Sequence, residues 1–215
     1  MYAAFLLRST DAALQRTKDQ VLALPDWELA GGATQWHEAL ERLPLLQPDA
    51  LVTDLRLGDH SADRLLQALT KRGLRVPTLV LVASNEDPLL LKALWQGAQG
   101  YLAETGPRSN LGQALAALQQ GRASLTPAQS RELLSQLGTP RLAVAAAARR
   151  ELSIDAQSAG PWLSRAQQAL LSLLAHGWLP REVGAAWQLA AEDVERRVAQ
   201  LLRVLQQQQR MLQAA

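Results

Sequence analysis

Apolar positions in the first 122 residues switch between two periods. Short, nearly continuous apolar runs at Tyr2–Leu7, 50–52 and 77–83 alternate with longer stretches in which apolar residues recur every three or four positions. Continuous short runs fit strands covered on both faces, and the longer period fits amphipathic helices. The pattern predicts a strand at 2–7, then a helix at 11–24 with Leu14, Val21 and Leu22 inward and Pro25 ending it. A short strand at 27–30 leads through Gly31-Gly32 to a helix at 34–45. The third strand lies within 48–57 and carries Asp54 at its C-terminal end. A helix at 61–71 follows, with Ser61 as N-cap and Gly73 just beyond its end. Strand 77–83, helix 87–97, strand 100–103 and helix 110–120 complete five strand-helix units. Such alternation predicts an α/β fold, a doubly wound five-stranded parallel sheet with helices on both faces.

Beyond residue 122 the strand period is lost. Thr126-Pro127 opens a helix to about Leu137, and Gly138-Thr139-Pro140 breaks it. Residues 143–150 are alanine-rich, with high helix propensity and little bulk. Gly160-Pro161 marks 153–161 as the expected joint. From Leu163 on, helices are predicted at 164–175, 180–187 and 191–212, with Pro180 in the first turn of the second. A short helix, a tight turn and a longer helix give a helix-turn-helix outline. The expected organisation is an α/β domain over 1–122, an alanine-rich helical linker over 123–160, and a smaller all-α domain over 161–215.

Composition narrows the chemistry. The 215 residues contain no cysteine, which excludes disulfides, thiol catalysis and thiolate-bound zinc. His37, His60 and His176 are scattered, so no histidine metal site is expected. The apolar N-terminal run is short and meets Arg8 at once, which fits neither a signal peptide nor a membrane span. A cytoplasmic location is the expectation. A net charge of +2 with a pI near 9.4 permits nucleic-acid binding without demanding it. No nucleophile-base pair or phosphate-cradling glycine loop is present, so an enzyme is not expected, and neither a cofactor nor a metal is implied.

Three segments carry a resemblance: 48–57 (Pro-Asp-Ala-Leu-Val-Thr-Asp-Leu-Arg-Leu), 76–81 (Val-Pro-Thr-Leu-Val-Leu) and 97–102 (Gly-Ala-Gln-Gly-Tyr-Leu). In sequence and spacing they resemble the receiver domain of bacterial two-component response regulators, which implies a flavodoxin-like fold. The resemblance makes Asp54 the counterpart of the phosphoacceptor. It also implies an acidic pair for Mg²⁺ after the first strand, a Ser or Thr after the fourth and a Lys after the fifth. This chain has Arg8 and Ser9, Val82, and Glu104 at those places. An aspartate is a poor nucleophile toward phosphate unless a cation neutralises the oxygens. The pocket is therefore degenerate, and Arg8 is expected to pair with Asp54 or Glu104 as a built-in ion pair.

The C-terminal segment resembles the LuxR-type DNA-binding domain of the NarL/FixJ subfamily, through Leu163-Ser164-Arg165, Leu174-Ala175-His176-Gly177, Arg181-Glu182-Val183-Gly184, Val194, Val198 and Leu201-Leu202. The resemblance implies DNA as a partner and a homodimer. Asp193-Val194-Glu195 stands where the family has Thr-Val-Lys, and Gln188 where its turn glycine is common. Arg181, Arg196, Arg197 and Arg203 are the candidate DNA contacts, with Arg196 and Arg197 expected to lead. Trp162-Leu163-Ser164-Arg165 resembles a cyclic di-GMP signature, which makes Trp162 and Arg165 candidate nucleotide-binding residues. The expected function is an atypical response regulator, a transcription factor controlled by a protein partner or ligand in place of phosphotransfer. The rival is a protein-interaction adaptor that has lost phosphotransfer and DNA binding, and a third reading is a cyclic di-GMP-responsive regulator.

Overall fold

A strand turns successive side chains to opposite faces, and in the computed structural model, which describes residues 1–105, 110–149 and 162–214, β1 (Tyr2–Leu7) shows the consequence. Ala4 and Leu6 join one core with Val52, Leu79, Leu81, Leu111 and Leu115, whereas Phe5 and Leu7 join another with Leu40, Leu43, Leu51, Leu65 and Leu69. The first core lies under α1 (Asp11–Leu22) and α5 (Leu111–Gln119), the second under α2 (Trp36–Leu46) and α3 (Ala62–Lys71). The sheet is parallel throughout, in the order β2-β1-β3-β6-β7, with β2 at Trp27–Ala33, β3 at Ala50–Asp54, β6 at Thr78–Val82 and β7 at Gly100–Ala103. This is the doubly wound architecture expected. Its strand order reverses between β1 and β3, and a crevice opens there at the carboxyl ends of the strands.

Several local expectations change. β2 continues through Gly31-Gly32 to Ala33 because β1 pairs with it across an irregularity between Ala4 and Phe5. A Cβ on Gly31 would lie 3.0 Å from Arg42 Nη2 and 3.1 Å from Phe5 Cε2. Glycine leaves room there for the guanidinium of Arg42 over the Phe5 ring, 5.5 Å from its centroid. The inward face of α1 is Ala13, Thr17 and Val21, and Leu22, one 100° step further round, is 55% exposed. Ser61 stands at the N-cap of α3, yet its side chain makes no capping bond. A small hairpin of β4 (Arg56–Leu57) and β5 (His60–Ser61) follows β3. Arg56 forks onto both carboxylate oxygens of Asp87, which itself caps α4 (Pro88–Gln96).

The chain divides into two compact units, 1–120 and 121–215. In the second, α6 (Pro127–Gln136) begins with a Thr126/Gln129 capping box and packs on α8 (Arg165–Ala175), which begins with a Ser164/Gln167 box. α7 (Val144–Ala147) also lies on α8. The stretch read as a linker thus contributes to the core of this unit through Leu133, Leu134 and Ala147. Polar bonds fasten it, from Leu142 N to Ser172 Oγ (2.9 Å) and from Gln168 Nε2 to Pro140 O (2.7 Å). The joint expected at 153–161 lies outside the described residues.

α9 (Pro180–Trp187) and α10 (Ala191–Ala214) form the helix-turn-helix outline. Trp187 is buried and donates its indole N–H to Ala147 O at 3.2 Å. Gln188 takes the left-handed conformation (φ 57°) that glycine takes at less cost, so the turn keeps its shape without glycine. The indispensable glycine is Gly184, where a Cβ would lie 2.6 Å from the backbone oxygen of Leu189. Gly184→Ala is expected to cost about 1–3 kcal/mol as helix and turn are pushed apart. Urea unfolding of the full chain checks this, and an unchanged midpoint would show that the turn yields freely.

Candidate functional site

The alternation along β1 and β3 decides which side chains meet at the crevice. Residues 4, 6 and 8 face α1, as do 50, 52 and 54, so Arg8 and Asp54 emerge side by side just past the sheet. Arg8 Nε donates to Asp54 Oδ1 at 2.9 Å, and Arg8 Nη2 donates to Glu104 Oε1 at 2.8 Å. Its remaining Nη1 donates to the hydroxyl of Thr17 on α1, which in turn donates to Ala13 O at 3.0 Å. The second oxygen of Asp54 accepts the backbone N–H of Ser9 at 2.6 Å. Each branch of the guanidinium and each oxygen of Asp54 therefore has a partner.

Burial sets the balance of this network. The side chains of Arg8 and Asp54 are 4% and 11% exposed, whereas Glu104 is 44% exposed. A desolvated pair holds only with good geometry and satisfied residual groups, and this one has both. Glu104 is held in place by its own backbone N–H, which donates to Val82 O at 2.9 Å. Val82 is buried at the end of β6 and presents no hydroxyl. The structure thus gathers Arg8, Ser9, Asp54, Val82 and Glu104 at one end of the sheet, with a cation fixed between the two carboxylates. Among the described residues no three His, Asp or Glu side chains gather to hold a metal ion. Thr17 was missed in the sequence reading, although a threonine on the Ala13 and Val21 stripe of an amphipathic helix signals a buried hydroxyl that needs a partner.

The second candidate surface is α10. Its core stripe is Val194, Val198, Leu201 and Leu205, and the opposite, outward stripe is Glu192, Arg196, Gln200, Arg203 and Gln207. Arg196 and Arg203 are exposed there, and Arg181 is exposed in the first turn of α9. Arg197 is half-buried and sits one step round from Arg196, so the outward face carries Arg196 and Arg203, with Arg197 toward its flank. Asp193 accepts from Arg196 at 2.5 Å, and this hydrogen bond chiefly holds its carboxyl below the usual range. A depressed carboxylate stabilises above its unfolded value and stops doing so as pH falls through the folded one. The pair is exposed, so its worth to folding is small. Trp162 is half-buried and Arg165 exposed, and Ser164 between them caps α8 by accepting from Gln167 N at 3.2 Å.

Comparison with known proteins agrees with both units. The response regulator receiver domain family matches residues 10–116. The DNA-binding transcriptional activator DevR/DosR of Mycobacterium tuberculosis is 26% identical over 210 residues, covering 98% of this chain and 91% of the relative. The nitrate/nitrite response regulator NarL of Escherichia coli is 25% identical, covering 97% and 92%. The chain belongs to the response-regulator family. Its relatives share both halves, so the likeness to NarL-type regulators spans receiver and helical unit alike. In fold it also matches RcsB of Salmonella enterica serovar Typhimurium bound to promoter DNA, with a TM-score of 0.52 at 19% identity and 96% of each chain covered. The isolated receiver domain of that regulator matches with a TM-score of 0.53 at 23% identity, covering 63% of this chain and 99% of the other. Among the described residues no helix is long and apolar enough to cross a membrane.

Proposed function

We propose that this response regulator is a DNA-binding transcription factor whose receiver works without aspartyl phosphorylation. The observation that carries the reading is Arg8 lodged between Asp54 and Glu104. Phosphoryl transfer needs a free carboxylate oxygen in line with the phosphorus and a divalent cation on the phosphoryl oxygens. Here one oxygen of Asp54 accepts from Arg8 and the other from Ser9 N. The counterpart of the metal-binding acidic pair is Arg8 and Ser9, and a phosphoryl group on Asp54 would face the Glu104 carboxylate. The ion pair holds the receiver in one charge state, and control passes to a protein partner or a small ligand.

DNA is the partner that α10 suits. Arg196 and Arg203 share its outward face, and arginine makes bidentate contacts to guanine edges and phosphates. α9 presents Arg181 for the backbone, as the first helix of such a pair does. Working as a cytoplasmic homodimer, the protein would set two α10 helices in successive major grooves. The carboxylates that favoured the adaptor reading, Asp193 and Glu195, are each paired with an arginine. In the cyclic di-GMP reading Trp162 would stack on guanine, but the Ser164 of that signature caps a helix.

The test uses the full chain with its own upstream region as duplex. Binding is expected to weaken steeply between low and moderate salt. Incubation with acetyl phosphate and Mg²⁺ is expected to change neither the intact mass nor the affinity. A phosphoryl adduct on Asp54 overturns the first half of the reading. An absence of salt-sensitive binding to any sequence turns it into the adaptor.

A further inference from the structure

Glu195 stands where a basic residue would meet DNA phosphates, and the structure gives it a specific partner. Arg122, near the start of the second unit, donates from Nη1 to Glu195 Oε2 at 3.1 Å, and the next residue, Ala123, donates its backbone N–H to Glu195 O at 3.2 Å. The two side chains are 21% and 28% exposed, which removes them from most of the solvent screening that weakens surface pairs. Ala123 and Leu125 are buried, so this stretch is anchored on both sides of Ser124.

The helical period says where the segment lies. Glu195 shares a stripe with Ala199, Leu202 and Gln206, all buried, and it sits 100° from Arg196. The segment therefore runs along the flank of α10 and leaves the stripe of Arg196, Gln200 and Arg203 exposed. A cover over the reading face would have buried those arginines. Left alone, Glu195 would add a carboxylate at the edge of a face that already carries Glu192 and Asp193, the latter paired with Arg196, and it would cancel much of what the two arginines offer a polyanion.

We propose that Arg122 is a positioning residue for nucleic-acid contact, acting by masking Glu195. It turns that carboxylate to the flank and neutralises it, so Glu195 adds no further negative charge against Arg196 and Arg203 despite standing at the phosphate-facing place. This inference rests on the DNA-binding reading above. It adds that affinity depends on the position of the residues just after 120, which gives a signal a handle on DNA binding that needs no chemistry at Asp54.

The test measures binding of the full chain to a random-sequence DNA duplex by fluorescence anisotropy across salt, with melting curves as a check on folding. Arg122→Ala is expected to weaken binding on the order of five- to tenfold at low salt and to flatten the salt dependence by about one phosphate equivalent. Glu195→Gln is expected to bind as tightly as the native chain or more so, and the double variant to recover the native affinity. Arg122→Gln keeps most of the aliphatic stem and replaces the alanine variant if that one melts early. Native or tighter binding by Arg122→Ala overturns the proposal, since the segment would then be a cover. A double variant as weak as Arg122→Ala also overturns it, since Arg122 would then touch DNA or only support the fold. Should the native chain itself show no salt-sensitive binding, the DNA-binding reading fails first and the masking role with it.

Discussion

Replacing Arg8 by alanine lowers the stability of the first unit by about 3–5 kcal/mol, the usual cost of removing one partner from a buried ion pair. Asp54 would keep only the Ser9 N–H while its side chain stays 11% exposed, and water could not restore what the guanidinium supplied. Thr17 would lose a partner as well but retains Ala13 O. Glu104→Gln should cost under about 1 kcal/mol, because that side chain is 44% exposed and can turn to water. Replacing the pair together, Arg8→Met with Asp54→Leu, should recover most of the loss, since no lone charge then remains buried. Chemical unfolding followed by fluorescence and circular dichroism measures all three. Equal, small effects for Arg8→Ala and Glu104→Gln would show that the guanidinium does not hold the crevice together.

The double variant Arg196→Ala with Arg203→Ala should reduce DNA affinity by about 1–3 kcal/mol per residue, hence roughly thirtyfold or more in Kd. The salt dependence should fall by about two phosphate equivalents if both contacts are to the backbone. If one of them reads a guanine edge, its loss instead relaxes sequence preference at a single position with a smaller change in slope. Arg197→Ala should have the smaller effect, because Arg197 is half-buried on the flank of α10. Arg181→Ala should weaken binding alike for all sequences, as a contact to phosphates does. Anisotropy titrations with specific and random duplexes separate these cases. An Arg197→Ala loss exceeding that of Arg203→Ala would mean that α10 enters the groove on a different face.

Much of the first unit was legible because its signals are local. The short apolar run at 50–52 fits a strand covered on both faces, and the period of α3 to α5 follows from neighbours three and four apart. Boundaries failed where a residue answers to a distant one. Gly31-Gly32 read as a break, yet pairing with Phe5 and Leu6 of β1 carries β2 on through both to Ala33, and glycine fits where a Cβ at 31 would meet Phe5, Arg42 and Leu46. Leu22 read as inward because it is apolar, while Thr17, the residue that the crevice uses, looked merely polar. In the second unit the alanine-rich stretch lacks bulk and read as spacer, although small side chains are what let Ala147 approach Trp187 closely.

By itself, the sequence determined the strand-helix alternation, the helix-turn-helix outline and the substitutions at 8, 9, 82 and 104. Each is a matter of residue type at a fixed spacing, and spacing survives without coordinates. Only the tertiary structure decided what those substitutions amount to. Arg8 and Asp54 are 46 residues apart and Arg8 and Glu104 are 96 apart, so their convergence depends on strand order and register. The same holds for Arg122 and Glu195, separated by 73 residues. A charge read in sequence has a sign but no partner, and the partner decides whether it repels a polyanion or is silenced.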